Sequence, residues 1–204
     1  MVYGGKQEQE QIRLRAASGD ARAQVQLGRT LAAGVVPNLI ESVRWFRSAA
    51  DRGDAEAQYL LAVRYLNGQG VDQDHDEAVK WLRRAAEQGH PGAQDSLGVR
   101  FATGQGVPQN DIQALAWFRK AAEQGHPVAQ FNLGLAYAQG RGSGVDIVEA
   151  YAWFCLSAEQ GDGVATGAVE TVVESLSLDE LRRARALFHR LYNQFKNSAV
   201  GKAA

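Results

Sequence analysis

Tryptophan returns in this chain at a fixed interval of 36 residues, at Trp45, Trp81, Trp117 and Trp153. Glycine follows with the same interval, at Gly53, Gly89, Gly125 and Gly161. A period of this length with helix-start and helix-stop signals is typical of repeats built from a pair of helices. One such repeat cannot bury its apolar face alone, so the four copies must stack on one another.

The third copy, residues 90–125, shows the internal plan of a repeat. Its first helix, helix A, is predicted from about His90 to Thr103, because apolar and small residues recur there with one-face helical spacing. The small residue after leucine, Gly98 in this copy, suits the close approach of a neighbouring helix. Gly104 then ends the helix. An Ala-Gln pair marks helix A in every copy, at positions 23-24, 57-58, 93-94 and 129-130.

The second helix, helix B, begins with a capping box in each copy. The pairs are Asn38 and Glu41, Asp74 and Glu77, Asn110 and Gln113, and Asp146 and Glu149. The side chain of the first residue is expected to accept from a free backbone N–H of the first helical turn. The side chain of the Glu or Gln three positions later is expected to accept from the backbone N–H of the first residue. Helix A is expected to be capped in turn by Asp20, Asp54, His90, His126 and Asp162.

The two ends are predicted to seal the stack. Residues 1–19 form an N-terminal capping helix with Ile12, Leu14 and Ala16 on its packing side, and residues 20–161 form four repeats at about 20–53, 54–89, 90–125 and 126–161. A half-repeat and a capping helix follow at 162–196, with one apolar and one charged face. Residues 197–204 are predicted to be a flexible tail.

The repeated pattern A-x-x-x-L-G-x-x-Y-x-x-G-x-G-V-x-x-D/N-x-x-x-A-x-x-W-x-x-x-A-A-x-x-G resembles the Sel1-like repeat family, relatives of the tetratricopeptide repeats. The resemblance covers about residues 20–161. It implies an all-α fold, an α/α superhelical solenoid with a C-terminal capping helix, and a role as a protein-interaction scaffold, often in bacteria. The departures are a short loop and Leu31 in place of tyrosine in repeat one, and an extra glycine in the loop at 140–144 of repeat four.

Residues that suggest chemistry have a simpler structural interpretation. Asp74 and Asp146 share their position with asparagines, and His90 and His126 share theirs with aspartates, so helix capping is favoured over catalysis or metal binding. The glycine loop at 140–144 follows a helix rather than a strand, which argues against a phosphate site. Cys155 has no predicted base beside it. No catalytic, cofactor or metal site is therefore predicted.

Charge and the N-terminal segment narrow the classes of partner and of cellular compartment that are expected. The 22 basic and 23 acidic residues give a net charge of −1, which favours neither nucleic acid nor an anionic membrane. A basic strip on helix B, including Arg47, Arg83 and Arg119, is interpreted as a solvated outer face, with an anionic partner as the alternative. The start has no apolar leader segment, so a cytoplasmic protein is expected, or a periplasmic or secreted one if a leader was removed.

The resemblance to tetratricopeptide repeats places the free positions of helix A on an inner, concave surface. The predicted partner-binding residues at these positions are Arg22, Val25, Arg29, Tyr59, Val63, Leu66, Asp95, Val99, Val128, Phe131 and Leu135. Most are apolar, and large apolar residues that a fold does not need indicate binding. The alternative is that they pack on each other within a tightly twisted stack.

Two functions remain open from the sequence. The first is a non-enzymatic scaffold or adaptor that binds a partner protein or peptide segment, of unknown identity, on this concave surface. The second follows from the resemblance: β-lactam- or cell-wall-related binding or hydrolysis, as in cysteine-rich members of the family. Those members rely on a cysteine pair in each repeat, whereas Cys155 is the single cysteine here.

Overall fold

The computed structural model describes the backbone of residues 2–201 and the side chains of residues 7–197. Over residues 2–201 the chain is helical, with turns and without strands. The helices are α1 (Val2–Ala17), α2 (Ala21–Ala33), α3 (Leu39–Asp51), α4 (Ala55–Asn67), α5 (His75–Glu87), α6 (Pro91–Thr103), α7 (Asp111–Ala122), α8 (Pro127–Gln139), α9 (Ile147–Ala158), α10 (Gly163–Val173) and α11 (Leu178–Gly201). The all-α prediction is confirmed.

The chain divides into two compact units. Unit 1 comprises residues 1–93 and 105–107, and unit 2 comprises residues 94–104 and 108–204. In unit 1, each of the helices α1 to α4 packs against the next one along the chain. In unit 2, α7 packs on α8, and α9 contacts α8, α10 and α11. Each unit is therefore built from sequence neighbours, as expected for helix-pair repeats.

Side-chain caps start the helices where the sequence predicts them. The carboxylates of Asp54 and Asp74 accept from the backbone N–H of the residue three positions on, at 2.8 and 2.9 Å. His90 and His126 do the same with Nδ1, which accepts from Ala93 at 3.1 Å and from Ala129 at 3.3 Å. The prediction that these residues cap helices is confirmed, and capping of this kind contributes about 1 kcal/mol per helix.

The second half of the capping box differs from the prediction in all four repeats. The backbone N–H of each cap residue donates to a carbonyl oxygen of helix A, that of Leu31, Tyr65, Phe101 or Tyr137, and not to the third-on side chain. In two repeats the glutamate has another partner. The carboxylates of Glu77 and Glu149 accept from the indole Nε1 of Trp81 and Trp153, at 3.1 and 2.9 Å. An indole N–H that is mostly buried needs an acceptor, and a glutamate four residues earlier on the helix is within reach. These two glutamates therefore hold a tryptophan instead of reaching back to the cap.

A phenylalanine of helix B explains the small residue after leucine in helix A. A Cβ added to Gly28, Gly98 or Gly134 would lie 2.5 to 2.8 Å from the nearest ring atom of Phe46, Phe118 or Phe154. Repeat two has Ala62 at this position, and there Leu82 replaces the phenylalanine; both are fully buried. The pair is therefore matched in size: glycine with phenylalanine, alanine with leucine.

Glutamines join successive helices inside the repeats. In unit 1, Gln58 Nε2 donates to the carbonyl oxygen of Ala50 at 3.2 Å, and its Oε1 accepts from Gln88 Nε2 at 2.8 Å. In unit 2, Gln130 makes the same two bonds with Ala122 and Gln160. Because these side chains are buried, both halves of each amide need a partner.

The first repeat lacks one of these bonds. Gln24 Nε2 donates to Ala16, but among the described residues its buried Oε1 has no donor. Arg52 stands where the later repeats have the donating glutamine, and it bonds the carbonyl oxygen of Gly19 at 2.7 Å.

At the N-terminus, Ile12 and Ala16 pack with Ala23 and Leu27. Leu14, however, is 56% exposed, so its predicted packing is wrong. Two residues along a helix turn the side chain about 200°, which places Leu14 opposite Ile12.

At the C-terminus, α11 buries Ala184 and half-buries the predicted apolar stripe, including Leu187 and Phe188. This helix ends at Gly201, beyond the predicted end at Lys196. The predicted tail is thus helical to 201, and residues 202–204 lie outside the described residues.

Candidate partner-binding surface

The predicted residues of unit 1 lie on α2 and α4. Arg22 and Arg29 are exposed, Val25 is buried, and Tyr59, Val63 and Leu66 are half-buried. An opening of about 440 Å³ at this surface is lined by Arg22, Val25, Gln26, Arg29, Thr30, Asp54 and Glu56.

A chain of polar contacts orders the unit 1 surface. Arg29 forms an ion pair with Glu56, whose other oxygen contacts His90 Nε2 at 2.9 Å. Because Nδ1 of His90 accepts from the backbone, Nε2 carries the proton and donates to Glu56. Tyr59 stacks on the His90 ring, with centroids 4.6 Å apart. The ring of Tyr59 is thus held in place by His90 and is also partly exposed to solvent.

The predicted residues of unit 2 lie on α6 and α8. Val128 is 50% exposed and Leu135 is 37% exposed, while Val99 and Phe131 are half-buried. Phe131 packs on Phe154, with ring centroids 5.5 Å apart. Val128, Phe131 and Leu135 follow a spacing of i, i+3 and i+7, so they form one stripe along α8.

A cavity of about 170 Å³ lies beside this stripe, between α6, α7 and α8. Its lining is mainly apolar: Val99, Ala102, Ala114, Leu115, Phe118, Leu135 and Ala136, with Asp111, Asn132, Gln139 and Arg141 as the polar members. A cavity of about this volume can hold a benzene-sized group. Mostly apolar walls with a few polar groups are typical of binding sites.

Asp95 occupies an unexpected environment for a carboxylate. It is 7% exposed, and its Oδ1 accepts from Asn132 Nδ2 at 2.8 Å. Burial raises the pKa of Asp95, and the bond from Asn132 and the charge of His126 oppose this rise only in part. Ionised Asp95 is therefore stabilised less than it would be in water.

Arg141 closes the cavity from the extra-glycine loop. Its guanidinium donates to the carbonyl oxygen of Ala102 at 2.7 Å and to Asp111 Oδ1 at 2.8 Å. The next residue, Gly142, has a φ of +77°, and a Cβ there would lie 2.2 Å from the carbonyl oxygen of Asp111. Only glycine permits this approach of the loop to the start of α7.

Sequence reasoning missed two residues of this surface, Asn132 and Arg141. Asn132 precedes the repeated leucine, at a position that varies from copy to copy. Arg141 replaces the glutamine found at Gln69 and Gln105, and this departure was a usable signal.

The eleven predicted residues therefore differ in exposure. Val25 and Asp95 are buried; Arg22, Arg29, Val128 and Leu135 are exposed; the other five, Tyr59, Val63, Leu66, Val99 and Phe131, lie between. The helix A faces are thus partly packed and partly open within each unit.

The remaining candidates for chemistry are the thiol of Cys155 and clusters of metal-ligating side chains. Cys155 is half-buried on α9; burial raises the pKa of its thiol, and a hydrogen bond with Tyr151 opposes the rise only in part. A raised pKa leaves less of the thiolate that a nucleophile requires. Among the side chains of residues 7–197, no three His, Cys, Asp or Glu side chains lie together as a metal site needs.

The basic strip on helix B lies on an exposed face. Arg47 bonds the hydroxyl of Tyr65, and Arg119 bonds that of Tyr137. Lys120 Nζ lies 4.1 Å from the centre of the Trp117 ring. These contacts give the cations a structural role. No helix between residues 2 and 201 combines the length and apolar character of a membrane span.

Comparison with known proteins identifies the repeat. The Sel1 repeat matches residues 21–54, 55–90, 91–126 and 127–162, well over half of the chain. Among curated proteins, nothing matches the chain.

Solved structures show the same fold. A Sel1 repeat protein from Oxalobacter formigenes is 28% identical with a TM-score of 0.77, over 90% of this chain and 75% of that one. The protein c5321, a protective antigen present in uropathogenic Escherichia coli strains and displaying an SLR fold, is also 28% identical, with a TM-score of 0.64. That match covers 96% of this chain but only 50% of c5321.

The predicted α/α solenoid of Sel1-like repeats is thus confirmed. The chain belongs to the Sel1 repeat family, whose members generally mediate protein–protein interactions and are typically non-catalytic scaffolds.

Proposed function

We propose that the chain is a non-enzymatic scaffold that binds a segment of a partner protein on the helix A faces of its two units. The observation that carries the proposal is the α8 stripe of unit 2, where Val128 and Leu135 are exposed beside the cavity of about 170 Å³. Exposed apolar side chains next to an apolar cavity gain free energy when a partner covers them. The family's general role in protein interactions supports the same conclusion.

The cavity indicates how a segment would be held. Val99 and Leu135 line it, so an apolar side chain of the partner would contact α6 and α8 at once. One anchored side chain surrounded by weaker contacts is the usual energetic pattern of a protein interface. The surface of unit 1, with Arg22, Arg29, Val63 and Leu66, is proposed as a second contact region.

Leu135 offers the clearest test. Phe131 and Tyr59 are less suitable, because their rings also pack on Phe154 and His90, and their removal would disturb the fold. Peptides that bind the full chain would be selected from a display library of random sequences. Leu135→Ala should weaken a selected peptide about tenfold, since losing an anchor costs at least about 1 kcal/mol.

Leu178→Ala is the matched control, because Leu178 is 77% exposed on α11 and lies outside the proposed surface. Equal affinities of the Leu135 and Leu178 variants, or a library that yields no binder, would contradict the proposed function. Circular dichroism would confirm that both variants remain folded.

The enzymatic alternative has no supporting observation. Cysteine-dependent β-lactam chemistry would need a reactive thiol, and burial raises the pKa of Cys155. We therefore expect purified protein to show no steady hydrolysis of nitrocefin. Sustained turnover that Cys155→Ser abolishes would contradict the scaffold assignment.

A further inference from the structure

Asp95 stands at a position that the repeat fills with apolar residues elsewhere. The equivalent positions, two before the repeated leucine, hold Val25, Tyr59 and Phe131. The fold therefore does not need a carboxylate there. Asp95 nevertheless lies 7% exposed on α6, where an aliphatic side chain would pack without losing hydration.

The fold satisfies this carboxylate only in part. Within unit 2, its hydrogen bond comes from Asn132 Nδ2 at 2.8 Å. An ionised carboxylate offers about four acceptor positions, so one neutral amide leaves most of them for another donor. An incompletely paired buried charge is costly, and a cation that binds it recovers part of that cost.

Asn132 connects the carboxylate to the cavity. Its side chain donates to Asp95 and also lines the cavity, together with Val99 and Leu135. The other charged side chains of the lining, Arg141 and Asp111, are already paired with each other at 2.8 Å. Asp95 is thus joined to the cavity lining through Asn132, a neutral amide, whereas Asp111 is paired with a cation.

We propose that unit 2 recognises a protein segment carrying a lysine or arginine next to an apolar residue. The apolar side chain enters the cavity between α6, α7 and α8, and the cation donates to Asp95. This inference rests on the proposed function and names the partner's chemistry at the same surface. Charge complementarity is its basis, since an acidic segment would meet a like charge that already lacks full solvation.

The test uses the full chain and a display library of random peptides. Peptides selected on the wild-type protein should be enriched in a basic residue beside Leu, Ile, Met or Phe. The same selection on Asp95→Asn should lose the basic residue and keep the apolar one. Asp95→Asn retains the size of the side chain and an oxygen for Asn132, so the fold is expected to persist.

Affinity measurements then isolate the charge pair. A selected arginine peptide and its glutamine analogue would be titrated against each protein. The wild-type protein should prefer the arginine peptide by about tenfold or more, as expected for a hydrogen bond between charged groups. Asp95→Asn should show no preference, whereas Glu170→Gln, an exposed carboxylate on α10, should behave like the wild-type protein.

The outcomes separate the two proposals. If the selected peptides are apolar without a basic residue, or if Asp95→Asn keeps the preference for arginine, the inference about Asp95 is wrong. The proposed function would still stand if those peptides lose affinity with Leu135→Ala. If no peptide is enriched on the wild-type protein, both proposals fail.

Discussion

Replacing Gly134 with alanine should destabilise the protein, although alanine is the better helix former. A Cβ at this position would lie 2.8 Å from both Cδ1 and Cε1 of Phe154 and 3.2 Å from the carbonyl oxygen of Ala150. Phe154 is only 2% exposed and packs on Phe131, so its ring has little room to move. Something in the α8–α9 contact must therefore shift.

Two opposing effects set the size of the change. Alanine in place of glycine inside a helix contributes about 0.5–1 kcal/mol of stability. Overpacking a filled core costs about 1–3 kcal/mol. We expect a net loss of about 1–2 kcal/mol in the free energy of unfolding. Gly98→Ala should cost less, because its ring partner, Phe118, lines the cavity of unit 2 and can shift toward it.

Repeat two supplies the compensating substitution. Its Ala62 is paired with Leu82, so the double variant Gly134→Ala with Phe154→Leu copies a pair that the chain already uses. Phe154→Leu alone should cost about 1 kcal/mol through lost volume. In that background the added alanine should stabilise, which reverses the sign of its effect in the wild-type protein.

Urea denaturation followed by far-UV circular dichroism would measure all four proteins, with the m-value checked for constancy. The double-mutant cycle gives the interaction energy directly. If Gly134→Ala is neutral or stabilising in both backgrounds, the glycine–phenylalanine pairing does not control the packing of these helices.

Three further predictions test caps, glutamines and the buried acid. Asp74→Ala should lower stability by about 0.5–2 kcal/mol through loss of the α5 cap, while Asp72→Ala, in the exposed loop before it, should change little. Gln88→Ala should cost about 1–2 kcal/mol because it leaves Gln58 Oε1 buried without its donor. Both would be measured by denaturation midpoints. The pKa of Asp95 is raised in the folded state, so its contribution to stability should be complete below the ordinary aspartate pKa and be lost as pH rises through the raised value. Asp95→Asn should flatten this part of the pH–stability profile, and an unchanged profile would contradict the effect.

The sequence predicts the repeating part of the fold well, because four copies show which residue types each position of the repeat accepts. Caps can be recognised when aspartate, asparagine and histidine alternate at one position. The sequence also contains both members of the size-matched pair Gly134 and Phe154, but it predicts only that a small residue is needed after the leucine. The pairing with Phe154 is not evident from the sequence, because the contact joins α8 and α9, and a pattern along one helix does not show it.

Positions that occur once are harder to predict. Asn132 and Arg141 act through contacts between α8, its following loop and α6 or α7, and each residue type occurs once at its position in the repeat, so no repeated pattern indicates them. The burial of Asp95 has the same origin: its position was identified as free, but its exposure depends on the neighbouring helices. Contacts made by a residue that occurs in only one copy of the repeat become visible only in the three-dimensional structure.

The same reasoning shows why function concentrates at such positions in a repeat protein. A residue common to all copies is explained by stacking, as Gln58 is by its bonds to Ala50 and Gln88. A residue that departs from the repeat and is costly to the fold has no such explanation. Asp95 meets both conditions, since three copies use an apolar residue and burial opposes its charge. A cation from a bound partner would supply the pairing that Asn132 alone does not give this carboxylate.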